Sequence, residues 1–153
     1  MDLSQYLEIF IDESKEHLQT LNDQVLILES EPENVDTVNE IFRAAHSLKG
    51  MAGTMGYKRM QRLTHDMENV FSEIRNGKMN VNADLVDIVF KCLDALEGYL
   101  TNIIETSDEG TEDNDELIAQ LNAVLQNGLA GSGEAQAAAT KEETKEEKKP
   151  EGG

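Results

Sequence analysis

Histidine is the residue type in this sequence best suited to nucleophilic chemistry near neutral pH, because a neutral imidazole presents an unprotonated ring nitrogen. The chain contains three histidines: His17, His46 and His65. His17 lies beside Leu18 in an amphipathic segment, and we interpret it as a surface or boundary residue without chemistry. His46 is the candidate nucleophile, because its neighbours in the sequence are unusual.

Two glycines share the helical face predicted for His46. Gly50 and Gly53 follow it by four and seven positions, so they lie on nearly the same side of a helix. Glycine inside a helix costs about 1 kcal/mol relative to alanine, so two of them one turn apart need a reason. One interpretation is that they open His46 to a partner protein or a phosphate group. The alternative is close packing of a neighbouring helix.

The charge around His46 differs from that of the rest of the chain. The formal net charge is −18, yet no Asp or Glu occurs from residue 43 to residue 65. Lys49 follows His46 by three positions, within reach of a group attached to the ring. An acid-free basic stretch in an acidic protein is consistent with anion handling, and chance clustering on a solvated face is the alternative. Its basic residues are Arg43, Lys49, Lys58, Arg59 and Arg62.

A carboxylate that could support His46 occurs later in the sequence. Glu68 follows His65 by three positions, and both lie at the edge of a predicted apolar stripe. A carboxylate that accepts the Nδ1–H of His46 would fix the tautomer and leave Nε2 free. From spacing alone, Glu68 could equally be an ordinary surface residue.

Metal and nucleotide sites are weaker interpretations of the same residues. One His-x-x-Glu pair does not make a dinuclear centre, which needs matched pairs on facing helices. The sequence contains no H-E-x-x-H motif, no cysteine pair and no glycine-rich phosphate loop. We therefore predict no bound metal and no cofactor in this chain.

The composition narrows the class of protein further. A net charge of −18 disfavours DNA, RNA and anionic membranes as partners. The single cysteine, Cys92, lies in an apolar run and is predicted to be a buried core residue. No segment approaches the ~20 apolar residues of a membrane-spanning helix. We expect a cytoplasmic protein without disulfides.

Long amphipathic helices are predicted to position these residues. Apolar residues recur every three or four positions, and no segment alternates with a period of two. Pro32, Gly56 and Asn76-Gly77 separate the segments, and Asn34 or Asp36 and Asn82 are suited to cap the helices that follow. The predicted helices span residues 3–29, 35–55 and 59–75, a stretch beginning after Asn82, and a short fifth segment carrying Leu117, Leu121, Val124 and Leu125.

The predicted fold is all-α, an up-and-down antiparallel four-helix bundle with a fifth C-terminal helix. We assign residues 1–129 to this domain. Residues 130–153 contain Gly, Ala, Glu, Lys and Thr with almost no large apolar side chain. Such a composition cannot offset its ordering entropy by burial, so we expect a disordered interdomain linker there.

The stretch from residue 42 to residue 56, FRAAHSLKGMAGTMG, resembles the phosphoacceptor segment of histidine-phosphotransfer domains. Its His-x-x-Lys-Gly-x-x-Gly core is common to many of them. Residues 63–70 and 74–77, LTHDMENV and IRNG, resemble the next helix of the N-terminal phosphotransfer domain in the CheA family of bacterial chemotaxis histidine kinases. The opening stretch, residues 6–16 with FIDES at residues 10–14, fits as well. The resemblance covers residues 1–129 without a departure at the key positions.

The resemblance implies a role for each candidate. His46 would accept the γ-phosphoryl group of ATP on Nε2, and Glu68 would hydrogen-bond the other ring nitrogen. Lys49 and His65 would surround the phosphoryl group and aid its transfer. The two glycines would admit the kinase domain and then the acceptor. ATP would act only through a separate kinase domain, so this chain would be the phosphorylated substrate domain of a histidine kinase.

The partners implied by the resemblance are the ATP-binding kinase domain and response regulators of the CheY or CheB type, with an indirect link to chemoreceptors. The isolated domain is expected to be monomeric. Two alternatives stay open from the sequence. One is a stand-alone phosphorelay carrier, and the other is a helical bundle that binds a metal or a partner without phosphotransfer.

Overall fold

The computed structural model describes residues 3–137, with side chains described over residues 4–128. These residues form helices and connecting turns, with no β-strand in the described range. The five helices are α1 (Leu3–Ser30), α2 (Val35–Met55), α3 (Lys58–Arg75), α4 (Ala83–Thr106) and α5 (Asp115–Ala137). The predicted all-α class is confirmed, and the predicted bounds of α2 agree with those observed.

Local sequence explains where the helices begin and end. The Asn34 side chain accepts a hydrogen bond from the Thr37 N–H at the start of α2, and Asn82 does the same for Leu85 at the start of α4. Gly56 ends α2 in the left-handed conformation at φ 82°, where a Cβ would be strained. These caps set the length of α2, the helix that carries His46.

The helices enclose one hydrophobic core. Helix α1 packs against α2 and α4, while α3 packs against α2 and α4, which produces the four-helix arrangement. Cys92 is fully buried in that core, as predicted, and burial raises the pKa of its thiol to about 12. The largest fully buried side chains are Tyr99, Phe71, Leu21, Leu28, Ile41, Leu48, Met60, Leu63, Met67, Leu85, Leu96 and Ile103.

The fifth helix packs against α3 and α4, and it is longer than the sequence suggested. It was expected to be short, within a domain ending at residue 129, but it continues to Ala137. Glycine is a weak helix breaker that costs only about 1 kcal/mol, so Gly128, Gly131 and Gly133 do not end it. Residues 138–153 lie outside the described residues, and the linker assignment there stays a prediction.

The turn between α4 and α5 is attached to the start of α3 by a buried carboxylate. Glu109 is 6 % exposed and accepts hydrogen bonds from the backbone N–H groups of Arg59 at 3.0 Å and Met60 at 2.9 Å. Tyr99 donates to the backbone carbonyl of Glu112 from the core side. The first turn of α3 is therefore capped by a residue about fifty positions away in the sequence.

Candidate functional site

His46 lies on the flank of α2, with its side chain 63 % exposed. The helix beneath it is rigidly held, because Ala45, Leu48 and Ala52 on the opposite side are fully buried. The predicted placement of His46, exposed on a well-packed helix, agrees with the structure. A reactive ring in this position is accessible to a large partner while its backbone stays fixed.

Glu68 on α3 reaches across to His46. Its Oε2 lies 2.5 Å from His46 Nδ1, and its Oε1 lies 2.6 Å from the Lys49 ammonium. Glu68 is only 7 % exposed, so the contact is made at the buried base of an exposed ring. A carboxylate accepts hydrogen bonds, so in the neutral imidazole this contact favours the tautomer with the proton on Nδ1 and the lone pair on Nε2.

The electrostatics of Glu68 favour its charged form. Burial alone would raise the pKa of this carboxyl, but the contacts from Lys49 and His46 outweigh burial and lower it below its ordinary value. Glu68 is therefore an anion at neutral pH. It can stabilise positive charge that develops on the imidazole.

Lys49 and His65 take different positions from each other. The Lys49 ammonium contacts Glu68, which is the same carboxylate that contacts His46. The His65 side chain is 56 % exposed, with Nδ1 3.6 Å from the Asp66 carboxylate. Both line a groove of about 280 Å³ between α2 and α3, together with Lys58, Gln61 and Arg62. The structure thus joins Lys49 to the His46–Glu68 pair, whereas the ion-pair contact of His65 is with Asp66.

Much of the basic stretch is already paired with carboxylates. The Arg59 Nε atom lies 2.6 Å from Asp113, and Arg62 lies 2.9 Å from Asp115. The sequence suggested that these arginines handle an anion, whereas they hold the C-terminal part of the domain against α3. Carboxylates that are distant in the sequence, in the α4–α5 turn and at the start of α5, therefore neutralise part of this acid-free stretch.

The two glycines beside His46 differ in their surroundings. A Cβ at Gly50 would meet nothing within 4 Å, so that position is open on the His46 face. A Cβ at Gly53 would overlap the amide nitrogen of Gln61, a side chain from α3. For Gly53 the predicted role of admitting a partner is not supported, because a neighbouring helix already uses the space.

An apolar groove of about 580 Å³ lies between α1 and α2 on the other side of His46. His17, which the sequence left without a role, lines this groove together with His46 itself. Tyr6 and Ile9 are also exposed in it, at 52 % and 44 %. His46 therefore lines the apolar groove, while Lys49, which contacts the same carboxylate as His46, lines the basic groove between α2 and α3.

Two residues near His46 were not singled out from the sequence. The Phe42 ring lies parallel to the His46 ring, with 6.2 Å between the centroids and 7° between the planes. The Arg75 guanidinium lies 3.9 Å from the centre of the Phe42 ring. The spacing of four residues between Phe42 and His46 is the feature of the sequence that could have predicted this ring contact, because residues four apart are neighbours on a helix.

Within residues 3–137, no group of three or more His, Cys, Asp or Glu side chains is arranged to hold a metal ion. No helix in this range combines the length and the apolar character that crossing a bilayer requires. The site therefore consists of an exposed imidazole, a buried carboxylate and an ammonium group. This set is suited to nucleophilic attack by the imidazole on an electrophile brought from outside.

The family of the chain follows from comparison with known proteins. The family model described as the Hpt domain matches residues 5–130. The chain belongs to the Hpt domain family. This confirms the histidine-phosphotransfer assignment made from the segment around His46.

Relatives of this Hpt domain include chemotaxis kinases. It is 53 % identical to the chemotaxis protein CheA of Bacillus subtilis over 121 residues, which are 79 % of this chain and 18 % of that protein. The chain thus spans about a fifth of the length of such relatives. The CheA phosphotransferase domain from Thermotoga maritima is 43 % identical with a TM-score of 0.65, over 68 % of this chain and 99 % of that domain.

A third solved structure has the same fold at lower identity. It is the phosphorylated P1 domain of CheA3 in complex with CheY6 from R. sphaeroides. This Hpt domain matches it with a TM-score of 0.76 and 20 % identity, over 82 % of this chain and 99 % of that one. At that identity, the likeness concerns the arrangement of the helices.

Proposed function

We propose that this Hpt domain is the phosphoacceptor domain of a chemotaxis histidine kinase, and that Nε2 of His46 carries the phosphoryl group. The observation that carries this proposal is the 2.5 Å contact between His46 Nδ1 and the buried Glu68 carboxylate. In the neutral imidazole this contact favours the tautomer whose free lone pair is on Nε2 of an exposed ring. Phosphoryl transfer depends mainly on positioning and charge neutralisation, and this site provides both.

The reaction proceeds in two transfers. The Nε2 lone pair forms a bond to the γ-phosphorus of ATP as the bond from that phosphorus to the β,γ-bridging oxygen breaks, and ADP leaves with the bond electrons. Nδ1 keeps its proton, so the ring becomes cationic and the anionic Glu68 stabilises it. In the second transfer, an aspartate oxygen of a response regulator attacks the phosphorus, and the N–P electrons return to Nε2.

Lys49 has a bridging role in this proposal. Its ammonium lies 2.6 Å from Glu68 in the unphosphorylated chain. A phosphoryl group on the His46 ring competes with Glu68 for the Lys49 ammonium. Lys49 then neutralises the negative charge of the phosphoryl group from the position it already occupies beside Glu68. His65 lines the same groove as Lys49, and we assign it a supporting role in transfer.

The chain needs two protein partners for this cycle. An ATP-binding kinase domain supplies the phosphoryl group, because the sequence contains no glycine-rich phosphate loop. A response regulator of the CheY or CheB type receives it, and the apolar groove beside His46 is the surface we assign to that partner. A domain of the same fold is known in complex with CheY6. We place the cycle in the cytoplasm, linked indirectly to chemoreceptors.

The test is phosphorylation by a separately prepared kinase domain of a close CheA relative with γ-labelled ATP. We expect acid-labile, base-stable label on the wild-type chain and none on His46→Gln. His17→Gln is the matched control and should still take up label.

Label that persists on His46→Gln would exclude His46 as the acceptor. A chain labelled only by a phosphorylated response regulator, and never by the kinase domain, would instead identify a stand-alone phosphorelay carrier. Complete absence of label from both donors would reject phosphotransfer altogether.

A further inference from the structure

The His46 ring contacts more than its carboxylate partner. Phe42 lies one turn earlier on α2, with its ring 6.2 Å from the His46 ring and inclined to it by 7°. Distances of 4.5–7 Å between parallel, offset rings are favourable for aromatic pairs. This contact belongs to the same exposed face of α2 that carries the nucleophile.

Phe42 is itself held by α3. The Arg75 guanidinium lies 3.9 Å from the centre of its ring, well within the range of a cation–π interaction. Arg75 follows Glu68 by seven residues, or about two helical turns, so both lie on the side of α3 that faces α2. One helix therefore reaches His46 twice, directly through Glu68 and indirectly through Arg75 and Phe42.

A single hydrogen bond does not define the orientation of an exposed ring. The bond to Glu68 restrains the position of Nδ1, but the side chain moves through χ1 and χ2, and one hydrogen bond tolerates coupled rotation about both that tilts the ring plane. A parallel neighbouring ring restricts that rotation because it favours one ring plane. Direction and plane together determine where the Nε2 lone pair points, which is the quantity that in-line attack on phosphorus requires.

We propose that Phe42, held by Arg75, is a positioning residue that sets the plane of the His46 imidazole for phosphoryl transfer. The inference rests on the proposed function, since it assigns Nε2 as the reacting atom. It predicts that the aromatic ring at position 42 matters more than apolar volume there.

The experiment compares Phe42→Leu, which keeps apolar volume, with Phe42→Tyr, which keeps the aromatic ring. We expect Phe42→Leu to slow phosphorylation by the kinase domain by about two- to tenfold, the range of an aromatic pair interaction. Phe42→Tyr should restore the rate. Arg75→Gln should slow it less, and Lys78→Gln, which removes an exposed positive charge three residues later, should leave it unchanged.

The second readout is the NMR spectrum of the His46 imidazole nitrogens, which reports the tautomer and requires no kinase. In Phe42→Leu the ring plane is less restricted, so the Nδ1–H bond to Glu68 weakens and the fraction protonated at Nδ1 should fall, while the thermal midpoint changes little. Equal rates and unchanged nitrogen shifts in Phe42→Leu would overturn the inference, as would an equal loss of rate in Phe42→Tyr. If Phe42→Leu does not fold, Arg75→Gln decides by the same criteria.

The two readouts separate this inference from the proposed function. A wild-type chain that takes no label contradicts the proposed function, whereas the imidazole spectra of the variants still measure positioning. A wild-type chain that is labelled, with variants that are labelled equally fast, contradicts only the role of Phe42.

Discussion

Gly50 and Gly53 show how much the surroundings of a single residue decide. Both lie in the interior of α2 near His46, yet one faces open space and the other lies beneath Gln61 of α3. Replacing each by alanine gains the same intrinsic helix propensity. The two replacements should nevertheless have different effects, because only one site has room for a Cβ.

We expect Gly50→Ala to raise the free energy of unfolding by up to about 1 kcal/mol, because the added methyl group meets no other atom. The same methyl group stands on the partner-facing side, so transfer to a response regulator should slow.

For Gly53→Ala the gain should be reduced by displacement of Gln61, and Gln61→Ala should restore it. Urea unfolding measures the stability of each variant, and transfer rates measure the effect of Gly50→Ala on the partner. A Gly53→Ala variant that is as much stabilised as Gly50→Ala, with the Gln61 side chain undisplaced, would contradict the prediction for Gly53.

The Glu68 carboxyl should make the stability of the fold depend on pH in a specific direction. Its pKa in the folded chain lies below the ordinary value of 4.5, so the unfolded chain binds the proton more readily. The stabilisation is therefore complete above about pH 4.5 and is lost as the pH falls through the folded-state pKa. The stability of Glu68→Gln should change less between pH 6 and pH 3 than that of the wild type.

Chemical denaturation at several pH values measures this difference. Glu16→Gln, at an exposed position of α1, is the control for the loss of one carboxylate. Glu68→Gln should also be phosphorylated more slowly, since the neutral amide cannot stabilise a cationic ring. Parallel stability curves for the wild type and Glu68→Gln would show that the Glu68 contacts do not persist in solution.

The helices depend on contacts that are distant in sequence, and the start of α3 is the clearest example. Tyr57 precedes α3 and provides no side-chain cap, so Glu109 from the α4–α5 turn accepts the N–H groups of Arg59 and Met60 instead. A carboxylate also interacts favourably with the positive end of a helix dipole. The helix that carries Glu68 is thereby connected to the C-terminal part of the domain.

Glu109→Ala should lower the free energy of unfolding by about 2 kcal/mol, because the buried N–H of Met60 and the part-buried N–H of Arg59 lose a charged acceptor. Hydrogen exchange of the Arg59 and Met60 amides should accelerate more than that of amides in the middle of α3. Glu112→Ala, which removes an exposed carboxylate from the same turn, is the control. Uniform acceleration throughout α3 would mean that Glu109 stabilises the whole fold and not this helix end.

The fifth helix shares the hydrophobic core of the bundle. Ile118 and Leu121 are buried in the common core, and α5 contacts both α3 and α4. A helix attached only at the surface would unfold separately, whereas a helix that shares the core should unfold with it. The described part of the molecule is thus a four-helix bundle whose fifth helix completes one side.

Leu121→Ala should cost about 2–5 kcal/mol, the usual range for a fully buried leucine, and unfolding should remain a single transition. Circular dichroism at 222 nm and tyrosine fluorescence should report the same midpoint. Asn122→Ala, an exposed neighbour, should change stability by less than about 0.5 kcal/mol. Two separate transitions in either probe would contradict a shared core.

Much of the fold follows from the sequence alone. Apolar residues every three or four positions define the helices, and Pro32, Gly56 and the capping asparagines define their limits, because these are local properties of the backbone and its nearest side chains. The position of His46 on a helix flank follows from the same periodicity. The length of α5 does not, since each of its glycines costs only about 1 kcal/mol and is a weak signal for the end of a helix.

The partners of each side chain were decided only by the tertiary structure. Spacing made Glu68 a candidate, but only the packing of α3 against α2 brings its carboxylate to 2.5 Å from His46. The same packing directs Gln61 over Gly53 and Arg75 over Phe42. Packing of the α4–α5 turn against the start of α3 pairs Arg59 with Asp113 across fifty-four positions. Periodicity determines which face of a helix a residue occupies, whereas contacts between helices depend on how distant segments approach one another.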